Sequence, residues 1–164
     1  MSKLTDLRLM VRIGLGGAIA IALLTALVHP ASQAQSSSNS VSLSPGFTPN
    51  PLEVKGGANG SIALQEIVNQ TDSPTGQCTG FANTQPNMTL VLTTFFNSLS
   101  LVVISSEDTA LAIQGPGGVW CNDDFQGKNP GVSGQWLPGT YKVWVSSYAR
   151  GRRPAYTVRI AEVR

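Results

Sequence analysis

Apolar residues along this chain come in short runs divided by turn formers. From Ser61 onward the runs are SIALQEIV, MTLVLTTFF, LSLVVISS, DTALAIQ, GVWCN, TYKVWVSSY and AYTVRIAEV. Each has strand length and is rich in β-branched and aromatic residues, and no amphipathic stretch reaches three helical turns. Alternation is clearest near the C-terminus, where Tyr141, Val143 and Val145 share one face and Tyr156, Val158 and Ile160 share another. A period of two places one side of each strand in a core and the other in water. Turn signals at Asn97-Ser98, Gly115-Pro116-Gly117-Gly118, Asn129-Pro130-Gly131 and Pro138-Gly139 set strands about every ten residues. The pattern predicts an all-β protein of about seven or eight short strands in an antiparallel sandwich or barrel. A hairpin is expected across Gly115–Gly118 and another across the loop ARGRRP.

The first residues carry Lys3, Arg8 and Arg12, then an apolar run from Ile13 to Val28, then small residues through Ala34. That order reads as a secretory signal peptide over residues 1–34, cut after Ala34, with a retained anchor as the rival reading. Residues 35–60 are rich in Ser, Gly, Pro and Asn without sustained periodicity, and read as a flexible linker or loose N-terminal arm. Residues 61–164 are then the folded domain. Export places the mature chain in the periplasm or outside the cell, with no stable membrane insertion after cleavage.

Charge changes the picture only by subtraction. The whole chain has a formal charge of +2, but residues 1–34 hold three basic residues and Asp6, so the remainder carries eight of each sign. Without a persistent basic patch, nucleic acid is excluded as a partner. Arg150, Arg152 and Arg153 are the one local cluster, read either as a solvated loop or as a docking site.

Two cysteines, Cys78 and Cys121, in an exported chain predict a disulfide closing 43 residues. A zinc site lacks ligands, because the single histidine, His29, falls within the signal segment. The same absence removes the usual base for a serine or cysteine nucleophile. Asp123 and Asp124 are sequence neighbours that point to opposite sides of an extended segment, so they do not form a glycosidase pair. The expectation is that the protein is not an enzyme and requires no cofactor. A cation is the sharper use for these carboxylates. If Asp108 meets Asp123 and Asp124 across the hairpin, calcium suits Asp108, Asn122, Asp123 and Asp124, with Glu107 second, since it takes oxygen ligands in flexible geometry. The alternative is plain turn chemistry. Among the aromatics, Trp144 is expected in the core, while Trp136 and Tyr148 stand evenly between packing and a binding platform, with Trp120 a further candidate.

The order of motifs GQCTGF from Gly76, SLVVISSEDTALAIQGPGG from Ser100, CNDD from Cys121, NPG from Asn129, and PGTYKVWVSSY followed by YTVRI resembles the bacterial pre-peptidase C-terminal domain family. The likeness covers roughly residues 60–164. It implies a small jelly-roll-like β-sandwich of the kind attached to secreted proteases, here in a stand-alone variant. It also implies a secreted accessory or binding module, and the first functional reading is a protein that binds an extracellular polysaccharide or protein or assists a separately encoded secreted enzyme. A structural, envelope-associated protein is the second reading and a hydrolase a minor third.

Overall fold

The computed structural model describes residues 39–163, and the expected signal peptide with its cut site lies outside them. The elements in chain order are β1 (Asn39–Leu43), β2 (Leu52–Gly57), β3 (Ile62–Ala63), α1 (Leu64–Val68), β4 (Asp72–Ser73), β5 (Gly76–Gln77), β6 (Phe81–Ala82), β7 (Met88–Leu92), β8 (Phe96–Ser105), β9 (Thr109–Gly115), β10 (Gly118–Asn122), β11 (Gly131–Trp136), β12 (Gly139–Ser147) and β13 (Ala155–Glu162). Two sheets form a sandwich. One has seven strands, with β12 joined to β7 and β1, to β6 and β3, and to β9 and β10; the other has four, in the order β11-β8-β13-β2. Strands β4 and β5 make a separate small hairpin.

The core explains the pairing. Leu90, Leu111, Ile113, Tyr141, Val143 and Val145 from the larger sheet meet Phe96, Leu99, Leu101, Val103, Val158 and Ile160 from the smaller one, all buried in one cluster. Period-two patterning turns these residues to the same side of their strands, except that Phe96 comes inward out of phase with Leu99, Leu101 and Val103, beyond a register shift between β8 and β11. Burying each large apolar side chain stabilises by ~1.5–3 kcal/mol. The outer face of β12 is also covered. Trp144 packs with Leu64, Val68, Cys78, Ala82, Ala112 and Cys121 in a second cluster, so Trp144 is buried as expected.

Residues 39–57 depart from the linker reading. Strand β1 pairs with β7 in parallel, the only parallel pair among the described residues, from Asn39↔Met88 to Leu43↔Leu92. Strand β2 pairs with β13 from Leu52↔Ile160 to Gly57↔Ala155. The segment between them is fastened to the end of β13: Asn50 donates to the Glu162 carbonyl at 3.0 Å and accepts from the Glu162 N–H at 3.1 Å. Its polar composition reflects short strands that bury only Leu43 fully, not a free arm.

The hairpin across Gly115–Gly118 is present, with Cys121 opposite Ala112 and Asn122 opposite Leu111. The second expected hairpin is not. Strands β12 and β13 lie in different sheets, so ARGRRP crosses between layers. Each strand buries its apolar face toward the same core from opposite sides, which a hairpin would forbid. The antiparallel register also sorts the residues by end. Phe96, Gly115, Gly118, Trp136 and Gly139 lie at one end of the sandwich, and Ser105, Thr109, Asn122, Gly131, Ser147 and Ala155 toward the other.

Candidate functional site

Strand β10 is an edge of the larger sheet and β11 an edge of the smaller one. They lie along the same side of the sandwich, tied by Asn122, whose Oδ1 accepts the Gly131 N–H at 2.9 Å. Toward the Trp136 end the two strands border a cleft of about 310 Å³. Its aromatic wall is Trp120, Trp136 and Tyr141, with ring centroids 6.4 Å, 6.3 Å and 5.0 Å apart and the closest pair edge-on. Phe95 and Leu137, 41% and 50% exposed, also line it, so the wall continues into apolar surface.

Strand geometry puts the rings there. Trp120 lies opposite Ile113, and Tyr141 shares the inward side of β12 with Val143 and Val145. Gly115 is needed beside them: a Cβ at that position would stand 2.3 Å from Cδ1 of Tyr141, so the strand lies directly against the ring. Two of the three rings have their polar groups engaged within the protein. The Trp136 indole N–H donates to the Leu99 carbonyl at 2.9 Å and the Tyr141 hydroxyl to the Leu137 carbonyl at 2.8 Å. Burial pushes the Tyr141 phenol above its ordinary value, because the charged form loses hydration. Trp120 is only half-buried and has no side-chain hydrogen bond among the described residues. The cleft lining contains no charged side chain.

The residues singled out in the sequence divide between places. Cys78 and Cys121 are bonded, with an S–S distance of 2.04 Å, and both are buried. Trp136 belongs to the cleft. Tyr148, 57% exposed, Arg150, Arg152 and Arg153 belong to the far end of the sandwich, beyond Ser147. There the Arg150 guanidinium sits 4.7 Å from the centre of the Phe81 ring. Arg152 pairs with Glu107 at 2.8 Å, two exposed side chains whose pairing contributes little. Trp136 and Tyr148 therefore do not form one platform.

The acidic group is likewise dispersed. Among the described residues no three His, Cys, Asp or Glu side chains are placed to hold a metal ion. Asn122 acts as a staple: besides accepting from Gly131, its Nδ2 donates to the Thr75 carbonyl at 3.0 Å. Asp123 accepts a 3.4 Å bond from Thr79, and Asp108 and Asp124 are exposed. Lys128 donates to the Ser106 carbonyl rather than to these carboxylates.

Sequence reading missed Tyr141, Phe95 and Leu137 as site residues. Alternation puts Tyr141 in the core, and it is a core residue; it reaches the cleft because the sandwich opens at that end. No signal along one strand reports such an opening.

No family model and no curated protein matches the chain. Two solved structures are similar to it. One is the pre-peptidase C-terminal domain of a collagenase from Bacillus anthracis, 10% identical, with a TM-score of 0.45, over 75% of this chain and 95% of that one. The other is PliG of Aeromonas hydrophila, a periplasmic inhibitor of g-type lysozyme, 12% identical, with a TM-score of 0.42, over 75% of this chain and 96% of that one. Likeness at this level does not place the chain in a family and carries no argument about its function.

Proposed function

We propose that this protein is an exported, non-catalytic β-sandwich module that binds an extracellular polymer or protein through the aromatic cleft. The observation that carries the reading is the wall of Trp120, Trp136 and Tyr141 continued by exposed Phe95 and Leu137. Concave, largely apolar sites with a few polar groups are where ligands are bound, and aromatic anchors dominate such contacts. The cleft offers no titratable pair for acid/base chemistry, which supports binding without catalysis. The buried disulfide supports residence in an oxidising compartment.

The test is a screen of glycans and protein fragments against the purified protein and its Trp120→Ala variant. Saturable binding that the variant loses is expected. Equal binding by both proteins would move the site elsewhere, and silence across the screen would leave a structural role in the envelope.

A further inference from the structure

The cleft is bordered by strand edges, and this restricts what fits it. Just before β11, Pro130 accepts a bond from Val103 of β8, and the next residue, Gly131, turns the other way, its N–H donating to Asn122. Backbone groups alternate sides along a strand, so the N–H and C=O of Ser133 also point away from β8, toward the cleft that Ser133, Gly134 and Gln135 line. They have no partner among the described residues. The space above Gly134 is open, a Cβ there meeting nothing within 4 Å.

The two edges of the smaller sheet are treated differently. Strand β2 carries exposed Glu53 and Lys55, the sort of charge that discourages a further strand. Strand β11, GVSGQW, has no charge and no proline; its one irregularity is the register shift between Gly134 and Trp136. Beside its free edge stands the uncharged aromatic wall.

We infer that the occupant is a segment of extended polypeptide that adds as a strand to the free edge of β11 and lays an uncharged apolar side chain on Trp120, Trp136 and Tyr141. This rests on the reading of the cleft as the binding site and names its ligand class. Strand addition draws affinity from backbone hydrogen bonds and specificity from pockets for alternate side chains, and the cleft supplies both. A sugar fits less well. Three polar side-chain groups of the lining are already taken, the Trp136 N–H and Tyr141 hydroxyl internally and the Thr75 hydroxyl by the Cys121 carbonyl at 2.8 Å, so a sugar would rely on the Trp120 N–H, Ser133 and Gln135 and leave the strand edge unused.

The experiment uses isotopically labelled protein and three probes: a pool of short capped peptides with Leu, Ile, Phe or Tyr at alternate positions, the same pool N-methylated at alternate amides, and cellohexaose. With the unmodified pool, exchange of the Ser133 amide is expected to slow about tenfold or more, while that of Val158 in the central strand β13 stays unchanged. N-methylation is expected to weaken binding about tenfold, the loss of one or two backbone hydrogen bonds. Equal affinity of the two pools, or an unaffected Ser133 amide, overturns strand addition. Binding of cellohexaose alone, lost in Trp120→Ala, overturns it too but leaves the cleft as the binding site. If no probe binds, both readings fall together. Protection of Ser133 in a concentration-dependent dimer without any probe assigns the edge to a second copy of this chain and overturns the peptide.

Discussion

Replacing Asn122 by alanine separates turn and staple chemistry from ligand chemistry in the CNDD segment. The side chain joins three pieces of chain: β10, which carries it, the β4–β5 turn through the Thr75 carbonyl at 3.0 Å, and β11 through the Gly131 N–H at 2.9 Å. Each bond contributes about 1 kcal/mol net, and a buried donor left without a partner costs about 1–3 kcal/mol. Gly131 is buried and Thr75 half-buried, so the larger penalty applies to the Gly131 N–H. The sum is about 2–4 kcal/mol. For a domain of this size that lowers the unfolding midpoint by on the order of 10 °C. Asn122→Asp keeps the acceptor for Gly131 but sets an oxygen against the Thr75 carbonyl, so an intermediate loss is expected. Scanning calorimetry under non-reducing conditions measures all three proteins. A midpoint for Asn122→Ala within about 1 °C of the wild type, where ordinary surface changes fall, would refute the staple.

Removing the crosslink with Cys78→Ser and Cys121→Ser together is expected to cost about 4 kcal/mol, from a closed loop of 43 residues, read as a lower midpoint in denaturant. Trp136→Ala is expected to destabilise by about 3–5 kcal/mol because the ring is buried and its N–H is bonded, whereas Trp120→Ala, half-exposed, is expected to lose much less; equal losses in urea titrations would contradict the assigned packing. Burial raises the phenols of Tyr141 and Tyr156 above 10.0, with the Asn87 hydrogen bond acting against it at Tyr156. Tyrosines of the unfolded chain therefore ionise first, so the stability these groups hold below about pH 10 is lost as the pH rises from there toward their folded values. Unfolding midpoints across that range, with ultraviolet titration of the phenolates, test it. Saturating calcium is expected to leave the midpoint unchanged, since Asn122 is occupied and Asp108, Asp123 and Asp124 are not gathered; a rise reversed by chelator would restore a cation to the segment.

Strands that bury one complete face were readable from sequence. Tyr156, Val158 and Ile160 alternate with half-buried or exposed neighbours in β13, and both the structure and the pattern report it. The disulfide was readable from two cysteines and the expected compartment. Strands that bury little were not. In β1 only Leu43 is fully buried, and a serine-rich strand looks like a linker when its partner, β7, begins some fifty residues further along the chain. The run SIALQEIV misled in the opposite direction: only Ile62–Ala63 is strand, and Leu64–Val68 is one helical turn that lays Leu64 and Val68 over the outer face of the larger sheet. That cover is also why alternation failed on β12, where Val143, Trp144, Val145, Ser146 and Ser147 are all buried. The candidate site was harder still, because Trp120, Trp136 and Tyr141 come from three strands whose order in space no local pattern records.

The crosslink and the cleft are connected through β10. Cys121 follows Trp120, and its disulfide to Cys78 holds the segment containing β4 and β5 against this strand. There the Cys121 N–H donates to the Ser73 hydroxyl at 2.7 Å, and the Thr75 hydroxyl donates back to the Cys121 carbonyl. These are the backbone groups that β10 turns away from β9, so side chains close its edge at Cys121. One step toward the cleft the cover ends: Val119 presents its N–H and C=O in the same direction with no partner among the described residues. The length of open edge is thus set by how far the β4–β5 hairpin reaches, and Thr75 lies both on that hairpin's turn and on the cleft wall. Breaking the disulfide should therefore do more than lower stability. It frees the hairpin to leave Cys121, lengthens the open edge of β10 and disturbs the Thr75 side of the cleft. The Cys78→Ser/Cys121→Ser protein, held well below its midpoint, is expected to show faster amide exchange at Cys121→Ser and altered Trp120 fluorescence, while Val158 remains protected. Unchanged exchange at position 121 would mean that the hairpin's hydrogen bonds suffice without the crosslink, and would uncouple the disulfide from the site.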